Sequence, residues 1–246
     1  MSLLSINRLY KSFGGLAAVN GVDIEVERNE MVGLMGPNGS GKTTLFNCVT
    51  GFHAPSKGQV FLDGEDITAL APHVVANKGI SRIFQITRVF PALTVVENVL
   101  IGQRHSDEKI IQVLFTKSSA GVYERALQLL ELVELTKLKD KLAGELSHGQ
   151  QRLLTLARVL MQNPKLVLLD EPTAGVNPTL CRSIVSKILE VNRKHKVTFF
   201  IIEHNMNVMM ELAQRIYVLF NGGVIAEGAP EAIQRNEEVL EVYYGE

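Results

Sequence analysis

Eight residues, Gly36-Pro37-Asn38-Gly39-Ser40-Gly41-Lys42-Thr43, restrict the fold of this chain more than any other stretch. They follow a short apolar run, Met31-Val32-Gly33-Leu34-Met35, and lead into a helix-like segment. The spacing is that of a phosphate loop, G-x-x-x-x-G-K-[ST], which works only between a strand and a helix. Glycines let the backbone curl so that successive N–H groups converge on phosphate oxygens. The helix behind the loop adds its positive N-terminal end. Lys42 brings a point charge for the β- and γ-phosphates, and the Thr43 hydroxyl is placed to ligate Mg²⁺. Thr44, next on the helix, completes the cradle.

The apolar run before the loop has two counterparts, Leu166-Val167-Leu168-Leu169 and Val197 to Ile202. Unbroken runs of this length mark strands buried on both faces. Helical stretches separate the three, which is the βα alternation of a mainly parallel, doubly wound sheet. The first thirty or so residues differ: Val22-Asp23-Ile24-Glu25-Val26 alternates, as in a half-buried antiparallel sheet. Phe61-Leu62-Asp63-Gly64 reads as a strand entering a turn. The spacing of Ala126, Leu127, Leu130 and Val133 predicts a helix over Glu124 to Leu138, whereas Ser106 to Gly121 is less regular and reads as a connection. The expectation is an α/β fold, a single domain over residues 1–246. Residues 1–86 and 146–246 would form the α/β core with its N-terminal antiparallel β region, and 87–145 an inserted helical subdomain.

The second strand ends in Asp170-Glu171 and the third in Glu203-His204. Ligands of parallel sheets bind at the carboxyl ends of the strands, the edge at which Met35 enters the phosphate loop. Asp170 is therefore placed to hold Mg²⁺, and Glu171 to take a proton from an attacking water. A solvated acidic pair at a strand end is the plainer alternative, outweighed by the neighbouring phosphate loop. His204 would reach the same edge, with Glu203 as rival to Glu171 for the base. Farther back, Ser147 and Gln150 have the S-x-x-Q spacing of a capping box. Behind them Leu153, Leu156, Ala157, Leu160 and Met161 form an apolar helical face that stops before Pro164. This helix start is either a cap alone or a second anion site, with Ser147 and the Gly149 backbone facing a phosphate.

Taken in order, the phosphate loop, Gln85, Leu146-Ser147-His148-Gly149-Gln150, the strand ending in Asp170-Glu171, and His204 resemble the ATPase subunits of ABC transporters over nearly the whole chain. The resemblance implies that ATP is sandwiched head-to-tail between two such subunits, with Ser147, Gly149 and Gln150 serving the partner's phosphate loop. It implies Glu171 over Glu203 as base, His204 at the γ-phosphate, and Gln85 touching Mg²⁺ and water while its loop senses a membrane partner. Phe13 matches the aromatic on which adenine stacks, with Tyr10 as competing candidate. Catalytic roles thus fall to Lys42, Gln85, Glu171 and His204, and metal contacts to Thr43, Gln85 and Asp170. Two positions depart from the common pattern: His148 stands where many members have glycine, and Asn177 replaces an aspartate.

Phe13-Gly14-Gly15-Leu16-Ala17-Ala18-Val19, Ser81 to Pro91 with Arg82 and Phe90, Ala174 to Pro178 and the terminal Tyr244-Gly245-Glu246 resemble the importer ATPases for branched-chain amino acids. Urea importers and the lipopolysaccharide-transport ATPase share part of this. A soluble ABC ATPase acting on DNA or ribosomes would bring coiled-coil or basic insertions, and a GTPase an N-K-x-D pattern; neither is visible. The formal net charge of -1 gives no field that would gather nucleic acid. Cys48 and Cys181 form no spaced cluster and read as small core residues. Nowhere is there a run of the ~18 apolar residues that crosses a bilayer. The implied partners are membrane permease subunits, a second ATPase subunit, identical or related, and indirectly a substrate-binding protein. The expected location is cytoplasmic, peripheral on the inner face of the membrane.

Overall fold

The computed structural model describes residues 2–84, 89–103 and 120–244. Two sheets organise the chain. The first is built from β1 Ser2–Phe13, β2 Leu16–Glu27, β4 Lys57–Leu62 and β5 Glu65–Asp66, in the order β2-β1-β4-β5. Its pairings β1–β2, β1–β4 and β4–β5 are all antiparallel. The alternation read in Val22–Val26 is what the strand shows, Val22, Ile24 and Val26 being buried and Asp23 and Glu25 exposed.

Three inner strands of the second sheet are the apolar runs: β3 Met31–Met35, β7 Leu166–Asp170 and β8 Thr198–Ile202, every residue buried. β3 pairs parallel with β8 and with β9 Arg215–Phe220, and β7 pairs parallel with β8. The flanking strands are β6 Ile80–Ile83 and β10 Gly223–Gly228, the latter antiparallel to β9. The order across this sheet is β10-β9-β3-β8-β7-β6. Three of the six strands were thus plain in the sequence. Of the others, β6 is short and β10 only partly buried, whereas β9, with Ile216 to Leu219 buried, is a further apolar run that sequence reasoning passed over.

The chain divides into two compact units. The first comprises Met1–Arg82, Lys165–Glu171 and Ile188–Glu246 and holds both sheets. Its core of buried Leu, Ile, Val and Phe residues includes Phe46 and Phe200, with ring centroids 5.0 Å apart. Sheet strands meet there with helix α1, Lys42–Val49, and with Val75 of helix α2, Pro72–Lys78. The second unit comprises Ile83–Pro164 and Pro172–Lys187. It is wider than the 87–145 span expected from the sequence, and the reason is packing. Helices α3 Val95–Leu100, α4 Ala120–Leu132 and α5 His148–Met161 contact one another, so α5 belongs with the helices before it. The helix predicted over Glu124 to Leu138 is found as α4, and its tail is a separate 3-10 turn at Thr136–Leu138. Of the stretch read as a connection, residues 106–119 lie outside the described residues, and Gly121 already belongs to α4. Cys48 is buried as expected, but Cys181 is only partly so, because it sits at the start of the helix Pro178–His195 rather than in a core.

Candidate active site

The phosphate loop leaves β3 at Met35 and enters α1 at Lys42, as its spacing demanded. Two glycines have no substitute there. Gly36 takes φ 145°, and a Cβ on it would lie 2.1 Å from the Leu219 carbonyl oxygen. Gly41 takes φ 106°, and its Cβ would lie 2.2 Å from the Ala18 carbonyl oxygen. The loop is therefore pressed against β9 on one side and β2 on the other, and only bare backbone fits. The Gly36 N–H donates to the Tyr243 hydroxyl at 2.6 Å, tying the loop to the helix Glu237–Tyr244.

Lys42 is buried and turned back over its own loop, its Nζ donating to the carbonyls of Gly36 (2.7 Å) and Pro37 (2.8 Å). Burial pushes the ammonium below its ordinary pKa, while Glu171 and Asp170 oppose the shift. The phosphate-loop cation and both strand-end carboxylates thus lie within one electrostatic field. Asn38, Gly39 and Thr43 are exposed, Pro37 and Thr44 partly so, and Ser40 is buried.

Glu171 follows directly on β7 and adopts φ 51°, a left-handed conformation that a non-glycine residue takes at a cost. Its N–H donates to the Ile202 carbonyl at 2.9 Å, which holds the strained turn against β8. The carboxylate Oε1 meets His204 Nε2 at 2.9 Å. Glu203 behaves differently. It is buried, and its carboxylate accepts the N–H of His204 at 3.0 Å and of Asn205 at 3.4 Å, which orders the turn after β8. Of the two rivals, Glu171 meets the imidazole ring of His204, whereas Glu203 meets its backbone.

Arg82 is the site residue that sequence reasoning passed over, since it appeared there only within a longer stretch of resemblance. Its guanidinium donates to Asp170 Oδ2 and to Asn47 Oδ1, each at 2.6 Å, and its side chain is 4% exposed. No local signal marks it. An arginine in a short strand is ordinary until the fold brings α1 and β7 beside it.

Phe13 ends β1 and is 45% exposed, its ring edge-on to His53 at 5.3 Å and with the Lys11 ammonium 4.9 Å from its centroid. The Tyr10 ring instead sits over Gly21, where a Cβ would meet its hydroxyl at 2.9 Å. Gln85 lies outside the described residues.

In the second unit the capping box predicted at Ser147 is present in both directions. The Gln150 N–H donates to Ser147 Oγ at 3.4 Å and the Ser147 N–H to Gln150 Oε1 at 3.0 Å. Ser147 and His148 are exposed, and Gly149 is buried, its absent Cβ pointing at Leu180. Arg152 of the same helix donates to the Pro172 and Ala174 carbonyls. Asn177 caps the next helix by accepting the Leu180 N–H at 2.9 Å, a task aspartate and asparagine perform alike.

The family model described as "ABC transporter" matches residues 19–174, a span that includes the phosphate loop, the capped helix and Asp170-Glu171. The chain belongs to the ABC transporter family. It is an ATPase of that family. A second model, "Branched-chain amino acid ATP-binding cassette transporter", matches residues 224–246. The high-affinity branched-chain amino acid transport ATP-binding protein BraF of Pseudomonas aeruginosa is 42% identical, covering 99% of this chain and 98% of that protein. Among solved structures, the ADP conformation of an ATP-binding cassette of an ABC transporter superposes with a TM-score of 0.88 at 38% identity, over 100% of both chains. A dimeric ATP-binding cassette in a post-hydrolysis state, bound to ADP and Pi, gives a TM-score of 0.76 at 27% identity, over 92% of this chain and 98% of that one.

Proposed function

We propose that this ABC ATPase powers import of branched-chain or related amino acids through separate membrane permease subunits, docked on their cytoplasmic face. The observation that carries the substrate class is the match of residues 224–246 to the branched-chain amino acid cassette model. The 42% identity with BraF supports it along the whole chain. Among the described residues no helix is long and apolar enough to cross a membrane, which agrees with a motor that acts on spans in other chains.

Within the site, Gly36 to Thr44 would cradle the phosphates of ATP, Lys42 moving from its loop carbonyls to the phosphate oxygens. Phe13 offers an exposed ring face for adenine. Glu171 would accept the proton of the attacking water, and His204, 2.9 Å away, would orient that carboxylate and contact the γ-phosphate. The donors suited to a metal are hard oxygens, the Asp170 carboxylate and the exposed Thr43 hydroxyl. Few protein ligands supplemented by substrate phosphates are the pattern Mg²⁺ accepts. When bound, Mg²⁺ would neutralise charge on the transferring phosphoryl group. The cap at Ser147, with Gly149 and Gln150, would serve a second cassette in a head-to-tail pair, a reading supported by the dimeric relative.

Replacing Glu171 by Gln tests the assignment. ATP binding should stay within about twofold, while hydrolysis falls ~10²-fold or more, the usual share of a general base. Retained turnover would remove Glu171 from that role. For the substrate, the chain reconstituted with its permease should hydrolyse ATP faster when loaded binding protein and leucine, rather than urea, are supplied.

A further inference from the structure

The Arg82 guanidinium is almost sealed from solvent and joins three elements of the first unit. It pairs with Asp170 at the end of β7, bonds Asn47 on α1, and lies 5.6 Å from the centroid of the Phe46 ring, also on α1. The Asp170 side chain is only 11% exposed. A carboxylate so far removed from water needs a partner, and removing one member of a buried pair leaves an uncompensated charge. The expected metal ligand therefore already holds a cation, supplied by its own chain.

We infer that Arg82 is a resident counter-cation that makes metal binding conditional on nucleotide. This rests on the reading of Asp170 as the metal-binding carboxylate. Mg²⁺ gives up its hydration shell reluctantly and binds well only where several anionic oxygens converge. With Arg82 in place, the pair it forms with Asp170 carries no net charge, so free Mg²⁺ gains little from the site. Phosphate oxygens held by the loop and by Lys42 supply the missing negative charge. The metal then enters with ATP and leaves once the phosphates go. Arg82 is in this sense a positioning residue, acting on the metal through Asp170. The chain continues from it through Ile83 and Phe84 to Gln85, and from Asp170 through Glu171 to Pro172, so the ion pair joins the two strand ends at which the chain passes into the second unit.

The test is metal affinity without turnover. Mn²⁺, followed by electron paramagnetic resonance on the purified nucleotide-free chain, should bind Arg82→Gln about tenfold tighter or more than the parent, as loss of a neighbouring positive charge dictates. Mg²⁺ alone should raise the melting temperature of Arg82→Gln but not of the parent, and should do so even if the variant is only marginally folded without it. Arg82→Lys, which keeps the charge, should behave as the parent. Binding of a fluorescent ATP analogue in excess chelator reports on the nucleotide reading separately, and should stay within about twofold in all three chains. Unchanged or weaker Mn²⁺ binding in Arg82→Gln overturns the inference, as does an equal gain in Arg82→Lys, which would make the effect geometric. Loss of the chelator-resistant binding in the parent itself would instead count against the ATP site.

Discussion

Single residues here owe their roles to what surrounds them. Glu171 and Glu203 are each next to a strand end, yet one carboxylate meets His204 at 2.9 Å and the other is taken up by two backbone N–H groups. Sequence spacing could not separate them, because it reports which edge a residue reaches and not where its side chain turns. Phe13 and Tyr10 differ in the same way, one half in solvent and the other laid over Gly21. Cys48 gives a prediction at this scale. Burial pushes its thiol from the ordinary 9.0 to about 11. The folded chain therefore keeps the proton where the unfolded chain loses it. Its contribution to stability is fully present below pH 9 and is lost as pH rises through about 11. Urea titrations at pH 8 and pH 10.5 should show stability falling less in Cys48→Ala than in the parent. Iodoacetamide should label Cys181 well before Cys48.

At the scale of elements, the helix His148–Met161 shows how a local rule and a packing rule meet. Its capping box was legible because Ser147 and Gln150 stand at a fixed offset before an apolar face. The reason for Gly149 was not legible, since it lies on another element. A Cβ there would come 2.0 Å from Leu180 Cδ2, on the helix that Asn177 caps. Gly149→Ala should then cost about 1–3 kcal/mol as overpacking. Pairing it with Leu180→Ala should restore a good part of the loss, measured by chemical denaturation of the double variant against each single one. If Gly149→Ala is neutral, the glycine is not there for packing. Within its own chain Asn177 caps that helix as an aspartate would.

At the scale of the whole molecule, the parallel sheet was readable from three apolar runs because a strand buried on both faces leaves no polar position to blur it. Strands β6 and β10 escaped notice because an edge position relaxes that demand, and the width of the second unit escaped because helix-to-helix packing has no linear signature. The proposed head-to-tail pairing belongs to this scale, and complementation can check it. Lys42→Ala spoils a phosphate loop and Ser147→Arg spoils a capped helix start, so neither chain alone should hydrolyse ATP. Mixed, they can form a pair in which the intact loop of one chain faces the intact Ser147 of the other. Hydrolysis well above either variant alone is expected; no recovery at any ratio would place Ser147 in the service of its own chain.

The strand order has a consequence for how such a chain is made. β3 carries the phosphate loop, yet its two neighbours are β8 and β9, which end at Ile202 and Phe220. A ribosome that has just delivered Lys42 has produced the phosphate loop and the β2 strand on one side of it, but neither of the strands that pair with β3. Most of the chain must follow before the strand finds partners, and the Gly36 N–H waits longer still, for Tyr243. Pairings this distant in sequence close slowly and leave apolar strands uncovered meanwhile. Nascent chains arrested before residue 220 should accordingly stay bound to chaperones and fail to retain ATP.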